Sequence, residues 1–287
     1  MSKVVKKPFI GILAFVLVLF TMPLGHTVMI LIEESYKYYG ATALGLAGVI
    51  LLMISTKYEG NENTQTYLGL FAGLFIWTGF IEFSFVYAAE VLGVAPLMEN
   101  GEVVTKPEYL IMPSSIGLLI AGTLYFFLDS QTRCNLFITI KKWTGLNLPM
   151  GKVDKKKNYA NTTAIETVFV IWLFYIVLLL VYDNNIAGDK HWATYSVMFG
   201  SLIWSVYLIS RLIKFSRMAP AIRYAIPTVV VFWNVVEILG RWDFFKEVWV
   251  MPGEYLLEVI LITVGFAIAM LLAIYMPQPS RVRKLES

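Results

Sequence analysis

Long apolar blocks alternate with short polar segments along the whole chain. Each block is long enough for an α-helix to cross a hydrocarbon layer about 30 Å thick, which takes roughly 20 mostly apolar residues. The pattern predicts an all-α protein, a polytopic transmembrane helical bundle of about eight spans. The predicted spans lie near Pro8–Ile32, Tyr39–Thr56, Tyr67–Ala89, Leu110–Leu128, Thr163–Val181, Trp192–Ile213, Ala221–Leu239 and Tyr255–Met276.

Lysine and arginine collect in alternate polar segments. They are frequent at the N-terminus, in residues 130–161, after the sixth span and in the C-terminal tail, whereas the other segments carry mainly glutamate and aspartate. Only the segment with Lys57, Glu59 and Glu62 is indecisive. Because cytoplasmic loops near span ends are enriched in Lys and Arg, we predict that both termini are cytoplasmic. A basic N-terminus without a clear cleavage site favours a multi-pass protein of the bacterial inner (plasma) membrane.

The longest polar segment divides the chain into two halves of four spans. We assign residues 1–129 to the first half, residues 130–161 to a basic cytoplasmic connection, and residues 162–287 to the second half with its basic tail. Within the connection, residues 137–143 mix apolar and basic side chains in a way that suits a short interfacial helix.

Similar residues recur in the two halves at separations of 145 to 156 positions. Trp77 and Glu82 correspond to Trp233 and Glu237. The other matches are Ala41-Thr42 and Gly48 with Ala193-Thr194 and Gly200, and Pro107-Glu108-Tyr109 with Pro252-Gly253-Glu254-Tyr255. Since each half has an even number of spans, these matches predict a parallel four-plus-four internal repeat.

The composition separates this chain from a water-soluble protein. Hydrophobic residues make up 58% of the sequence and charged residues only 15%, below the roughly one quarter that a soluble surface requires. The net charge of +3 comes from basic loops that topology already explains, so we expect no nucleic-acid partner. The lone Cys134 excludes an intrachain disulfide and a zinc site of several thiolates.

Ionisable residues inside the spans are the main candidates for function, because burying a charge in hydrocarbon is costly. His26, Glu82 and Glu237 are predicted in the outer halves of the first, third and seventh spans, and Glu33 lies at the same boundary, seven residues after His26 on one helix face. Imidazole together with carboxylates suits zinc, manganese or iron. We therefore predict a metal site formed by His26, Glu33, Glu82 and Glu237; the cofactor is otherwise unknown.

Six further residues are secondary candidates because they lie beside these positions or at the same depth. They are Glu90, Glu258, Trp77, Trp233, Asn234 and Arg241. Structural explanations compete with function for several of them. Glu237 and Arg241 are four residues apart and suit an intrahelical ion pair, and His26 suits a hydrogen bond to a neighbouring helix. Glu108, Glu254 and Glu258 begin spans, where the helix dipole favours an anion.

Three functions fit this pattern. The first is binding or translocation of a cation, which is a metal ion, a proton or a small cationic solute. The second is a membrane subunit of a larger complex, with or without a redox function, in which the acidic outer loops dock a partner; the exposed aromatic loop Trp242–Trp249 supports this hypothesis. The third is a membrane metalloenzyme acting on a hydrophobic substrate. Two histidines, no P-loop and no Cys-x-x-Cys motif leave enzyme classes little support, so the sequence favours the first function. The expected partners are the lipid bilayer and, under the second function, other membrane subunits.

Overall fold

The computed structural model describes residues 7–99, 102–128, 141, 144–145 and 158–276, without the side chains of residues 34, 35, 99, 102 and 126. Within these ranges eight helical segments are long and apolar enough to cross a membrane. They are α1 (Phe9–Ser35), α2 (Lys37–Ser55), α3 (Glu62–Ile76, continued by Trp77–Glu82 and Phe83–Leu92), α4 (Pro107–Ile111, Met112–Ser115 and Ile116–Leu128), α5 (Tyr159–Tyr182), α6 (Trp192–Leu212), α7 (Met218–Arg241) and α8 (Leu256–Tyr275).

The all-α class is confirmed, and each predicted span overlaps one helix. The described residues add one small hairpin between α3 and α4, in which β1 (Leu97–Glu99) pairs antiparallel with β2 (Glu102–Thr105). The helix α5 starts a few residues before its predicted span, because the Asn158 side chain accepts a hydrogen bond from the Asn161 N–H and caps it. The predicted interfacial helix falls almost entirely outside the described residues.

The helices α3 and α7 form the centre of the bundle. They are the most deeply buried of the eight, whereas α8 exposes most of its apolar residues. Both central helices contact α5, and α7 also packs along α1 and α6. Because the exposed surface of the outer helices is itself apolar, the bundle is compatible with an integral membrane protein.

One segment of α3 departs from α-helical geometry. Residues Trp77–Glu82 form a π-helical turn, in which hydrogen bonds span five residues instead of four. Gly79 in this turn lies directly against the backbone of Ala41 and Gly45 in α2. The wide turn is therefore accommodated by close packing of α2, and Glu82 is its last residue.

The two ends of the bundle differ in charge. The acidic end, which carries Glu33, Glu90 and Asp189, is the one predicted to face away from the cytoplasm. At the opposite end, called the Glu62 end, the Glu62 carboxylate contacts both Arg217 and Arg223, with 2.5 Å between Glu62 Oε1 and Arg223 Nη2. These contacts join α3 to the start of α7. The charges of this segment did not indicate which end of the bundle it belongs to. Its contacts with the two arginines place it at the same end as the start of α7.

Ion pairs also bridge helices around the rim of the acidic end. Lys37 at the start of α2 pairs with Glu90 near the end of α3. Lys106 Nζ lies 2.9 Å from Glu33 Oε2 of α1. In addition, Arg241 Nε lies 2.5 Å from Asp189 Oδ1, and its Nη1 donates to the Val104 carbonyl at 3.0 Å. The rim pairs therefore fix the helix ends and the hairpin against one another.

Close packing of α3 on α5 depends on glycine. A methyl group at Gly69 would lie 2.8 Å from Ala160 Cα, whereas one at Gly117 in α4 would meet no atom within 4 Å. We predict that Gly69→Ala lowers the free energy of unfolding of the purified protein by about 1–3 kcal/mol, because the two helices must separate. The matched change Gly117→Ala should be neutral or stabilising by up to about 1 kcal/mol. Thermal unfolding in detergent measures both; equal effects would contradict the packing.

Candidate functional site

Four ionisable side chains meet inside the acidic end of the bundle. They are His26 of α1, Glu82 of α3, Glu237 of α7 and Glu247 of the segment that follows α7. His26 interacts electrostatically with all three carboxyl groups. We call this group the His26 cluster. It joins residues from three helices and one loop that are far apart in sequence.

The closest contacts within the His26 cluster are those of Glu237. Its Oε1 lies 3.4 Å from His26 Nε2 and accepts a hydrogen bond from Trp233 Nε1 at 2.6 Å. Trp233 and Glu237 are four residues apart in α7, so they share one face of the helix. The imidazole of His26 stacks on the Trp233 ring, with centroids 6.3 Å apart. A single tryptophan therefore positions both members of the imidazole–carboxylate pair.

Glu82 has a more apolar environment than Glu237. Its residue is only 4% exposed, and its Oε1 accepts a hydrogen bond of 3.3 Å from the Tyr109 hydroxyl of α4. The rings of Tyr109 and Trp77 lie 5.8 Å and 5.7 Å from that of Tyr175 in α5. Three aromatic rings from three helices thus lie together beside this carboxyl group.

The aromatic loop predicted to be exposed, Trp242–Trp249, is exposed only in part. Trp249 is 9% exposed and its ring lies 5.0 Å from that of Trp233, while Trp242 Nε1 donates to the Asp189 carbonyl at 2.9 Å. The chain reverses at Asp243, whose φ of +56° is left-handed, so residues 244–249 fold back over the end of α7. Phe244, 77% exposed, is the most exposed aromatic side chain of this loop.

The same reversal brings Glu247 to the cluster. Its carboxyl group packs against Gly240, where a Cβ would lie 2.8 Å from Glu247 Cδ. Burial, together with the neighbouring Glu237 carboxylate, raises the pKa of Glu247 to about 7. In the sequence Glu247 is one acidic residue of a polar segment, and nothing in a local pattern shows that this loop turns inward.

Most other candidates have separate partners. Glu33 pairs with Lys106, and Glu90 with Lys37 and Tyr38. Asn234 Nδ2 donates to Ser201 Oγ of α6 at 3.2 Å. Arg241 pairs with Asp189 and not with Glu237, and Glu258 is exposed. Trp77 and Trp233 do lie beside the carboxyl groups that they precede.

The predicted metal site gains no support from this geometry. Among the residues that the structure describes, no group of three or more His, Cys, Asp or Glu side chains is arranged to hold a metal ion. The structure brings His26, Glu82 and Glu237 near one another, but Glu33 turns to the rim. Sequence reasoning missed Tyr109 and Glu247 as members of the site; the recurring Pro-Glu-Tyr match was the signal for Tyr109.

No protein-family model matches the sequence. Comparisons with curated proteins and with solved structures likewise find no match. Function is therefore inferred from the contacts and charges of the chain's own residues.

The raised pKa of Glu247 predicts a pH-dependent stability. The folded state binds the Glu247 proton more tightly than the unfolded state, whose pKa is near 4.5, so this contribution is complete below pH 4.5 and is lost as the pH rises through about 7. We predict that Glu247→Gln abolishes this loss and raises stability at pH 8, relative to wild type, by roughly 2–3 kcal/mol. Thermal unfolding from pH 4.5 to 8 measures it. The exposed Glu254→Gln, in the same loop, is the control; if both variants follow the wild-type pH profile, Glu247 is not buried as described.

Proposed function

We propose that this chain is an integral membrane protein that binds and exchanges protons through the His26 cluster, as a proton-translocating or proton-coupled membrane protein does. The observation that carries the proposal is the contact of His26 with Glu237, at 3.4 Å, within electrostatic range of two further carboxyl groups. Imidazole and carboxyl groups are the side chains that exchange protons near neutral pH.

The charges of the cluster support cation binding. If all four groups were ionised, three carboxylates would face one imidazolium and two negative charges would have no partner in the cluster. The nearest described cations are engaged elsewhere, since Lys106 pairs with Glu33 and Arg241 with Asp189. A charge without a partner is costly at this depth, so the cluster is stabilised by taking up positive charge.

Direct contact between the groups favours the proton over larger cations. His26 touches Glu237, Trp233 donates to Glu237, and Tyr109 donates to Glu82. A metal ion or an organic cation has to separate such groups to be coordinated, whereas a proton is taken up without moving a side chain. Of the three kinds of cation that the sequence suggests, we therefore propose the proton.

Protons reach the cluster from the acidic end in this conformation. Between the cluster and the Glu62 end, α1 and α7 pack through a continuous apolar core that includes Leu13, Leu17, Ala225 and Val229. From the distribution of basic residues we infer that the acidic end faces away from the cytoplasm. Release of a proton at the Glu62 end then requires a second conformation, in which the helices are arranged differently.

The internal repeat is part of the same proposal. Trp77 and Glu82 are five residues apart, whereas Trp233 and Glu237 are four apart. The π-helical turn at Trp77–Glu82 compensates for the extra residue, because residues five apart share a face in a π-helix as residues four apart do in an α-helix. The two Trp-Glu pairs thereby occupy equivalent positions in the central helices.

Helix packing supports the repeat as well. If α1–α4 correspond to α5–α8, the contact of α2 with α3 corresponds to that of α6 with α7, and the contact of α3 with α5 to that of α7 with α1. The contact of α4 with α5 likewise corresponds to that of α8 with α1, and α3 meets its own counterpart α7. These correspondences suit a twofold axis along the bundle between α3 and α7.

Proton release tests the proposed function. We predict that Glu82→Gln and His26→Gln each lower the number of protons released per molecule when purified protein is stepped from pH 5 to pH 8, because an amide binds no proton in this range. A pH-indicator dye counts the protons, and the exposed Glu258→Gln of α8 should leave the count unchanged. Folded variants that release as many protons as wild type would refute the proposal.

A further inference from the structure

Glu108 is a buried carboxyl group that the His26 cluster does not include. It is the second residue of α4, and its residue is 3% exposed. Its Oε1 is fully buried and has no hydrogen-bond partner among the described residues. A helix start favours an anion at its surface, but burial of an unpartnered carboxylate oxygen costs free energy that this effect does not offset. The Glu108 backbone N–H interacts with the carboxyl group, as at an ordinary helix start, but this leaves Oε1 without a partner among the described residues.

The charged neighbours of Glu108 differ in their exposure. Three of them belong to the rim pairs, Glu33 of α1, Lys37 of α2 and Lys106 of its own segment. The fourth is Glu82 of α3, which interacts electrostatically with Glu108. The rim side is open to the surroundings, since the Lys106 and Glu33 side chains are 31% and 30% exposed. Glu82 is buried, and the next residue, Tyr109, donates a hydrogen bond to it.

We propose that Glu108 is a second proton-binding site, which passes protons between the Lys106–Glu33 rim and Glu82. The inference rests on the proposed function, because a relay is needed only if Glu82 exchanges its proton. When a proton moves from the rim towards Glu82, a hydronium ion first protonates the Glu108 carboxylate and leaves as water. The proton then moves to the Glu82 carboxylate, and Glu108 returns to its ionised form. No bond other than O–H is made or broken.

The relay gives a route to Glu82 on the α4 side of the bundle. Tyr109 donates a hydrogen bond to Glu82 and its ring contacts that of Tyr175, so a proton that enters on this side needs an intermediate acceptor to reach Glu82. Glu108 has a free acceptor oxygen for this purpose, whereas Lys106 and Glu33 already neutralise each other.

Infrared difference spectroscopy after transfer to D₂O tests the relay. The carboxyl band of protonated Glu82 is first identified as the band that Glu82→Gln removes. We predict that in Glu108→Gln this band persists, but its shift on deuteration is slowed about tenfold or more, a modest fraction of what a positioned proton-transfer group contributes. Glu108→Asp, which keeps a carboxyl group, should recover much of the wild-type rate. Glu254→Gln is the control for loss of an exposed carboxyl group.

The outcomes separate the two proposals. If Glu82→Gln removes no carboxyl band at any pH from 5 to 8, the proposed function is refuted and the relay with it. If the Glu82 band deuterates at the wild-type rate in Glu108→Gln, the relay alone is refuted. Equal slowing in Glu108→Gln and Glu108→Asp would indicate a packing role and would also refute the relay. Slowing in Glu108→Gln with recovery in Glu108→Asp supports it.

Discussion

Charge neutralisation within an apolar bundle is the constraint on which this structure depends. A charged group between apolar helices has little water to stabilise it, so each must find an opposite charge or take up a proton. At the Glu62 end one carboxylate contacts two arginines. Around the acidic rim three carboxylates each contact a lysine or an arginine. The same ion pairs connect helices that are distant in sequence. Neutralising the charges therefore also holds these helices together.

The interior of the acidic end is where this pairing is incomplete. His26 is shared among three carboxyl groups, and Glu108 has a carboxylate oxygen without a partner in the part of the chain that the structure describes. Such incomplete pairing lowers stability, and in a bundle that is otherwise well paired it is the reason for proposing a functional site here. The polar aromatic residues support this view. Trp233 and Tyr109 donate hydrogen bonds to carboxyl groups and hold them in place, but they contribute no charge.

The fold followed from the sequence more directly than the site did. A run of apolar residues long enough to cross a bilayer has one outcome, so all eight helices were predictable. Partners of a side chain depend on tertiary packing instead. Glu33 shares a helix face with His26, yet it turns to Lys106, which is 73 residues away along the chain. Arg241, four residues after Glu237, pairs with Asp189 because the loop before α6 reaches it. Glu247 joined the cluster through a loop reversal that no local pattern reveals.

The π-helical turn in α3 has a consequence for how this bundle can move. The π-helical turn between Trp77 and Glu82 contains one residue more than the corresponding turn of an α-helix. Conversion of the turn to α-helix would rotate the segment Phe83–Leu92 by about 100° about its axis and advance it by about 1.5 Å. Gly79 of the turn lies directly against Gly45, so the position of α2 controls whether this conversion has room. Conversion of the turn together with a shift of α2 would therefore give the Glu82 carboxyl group a different set of neighbours.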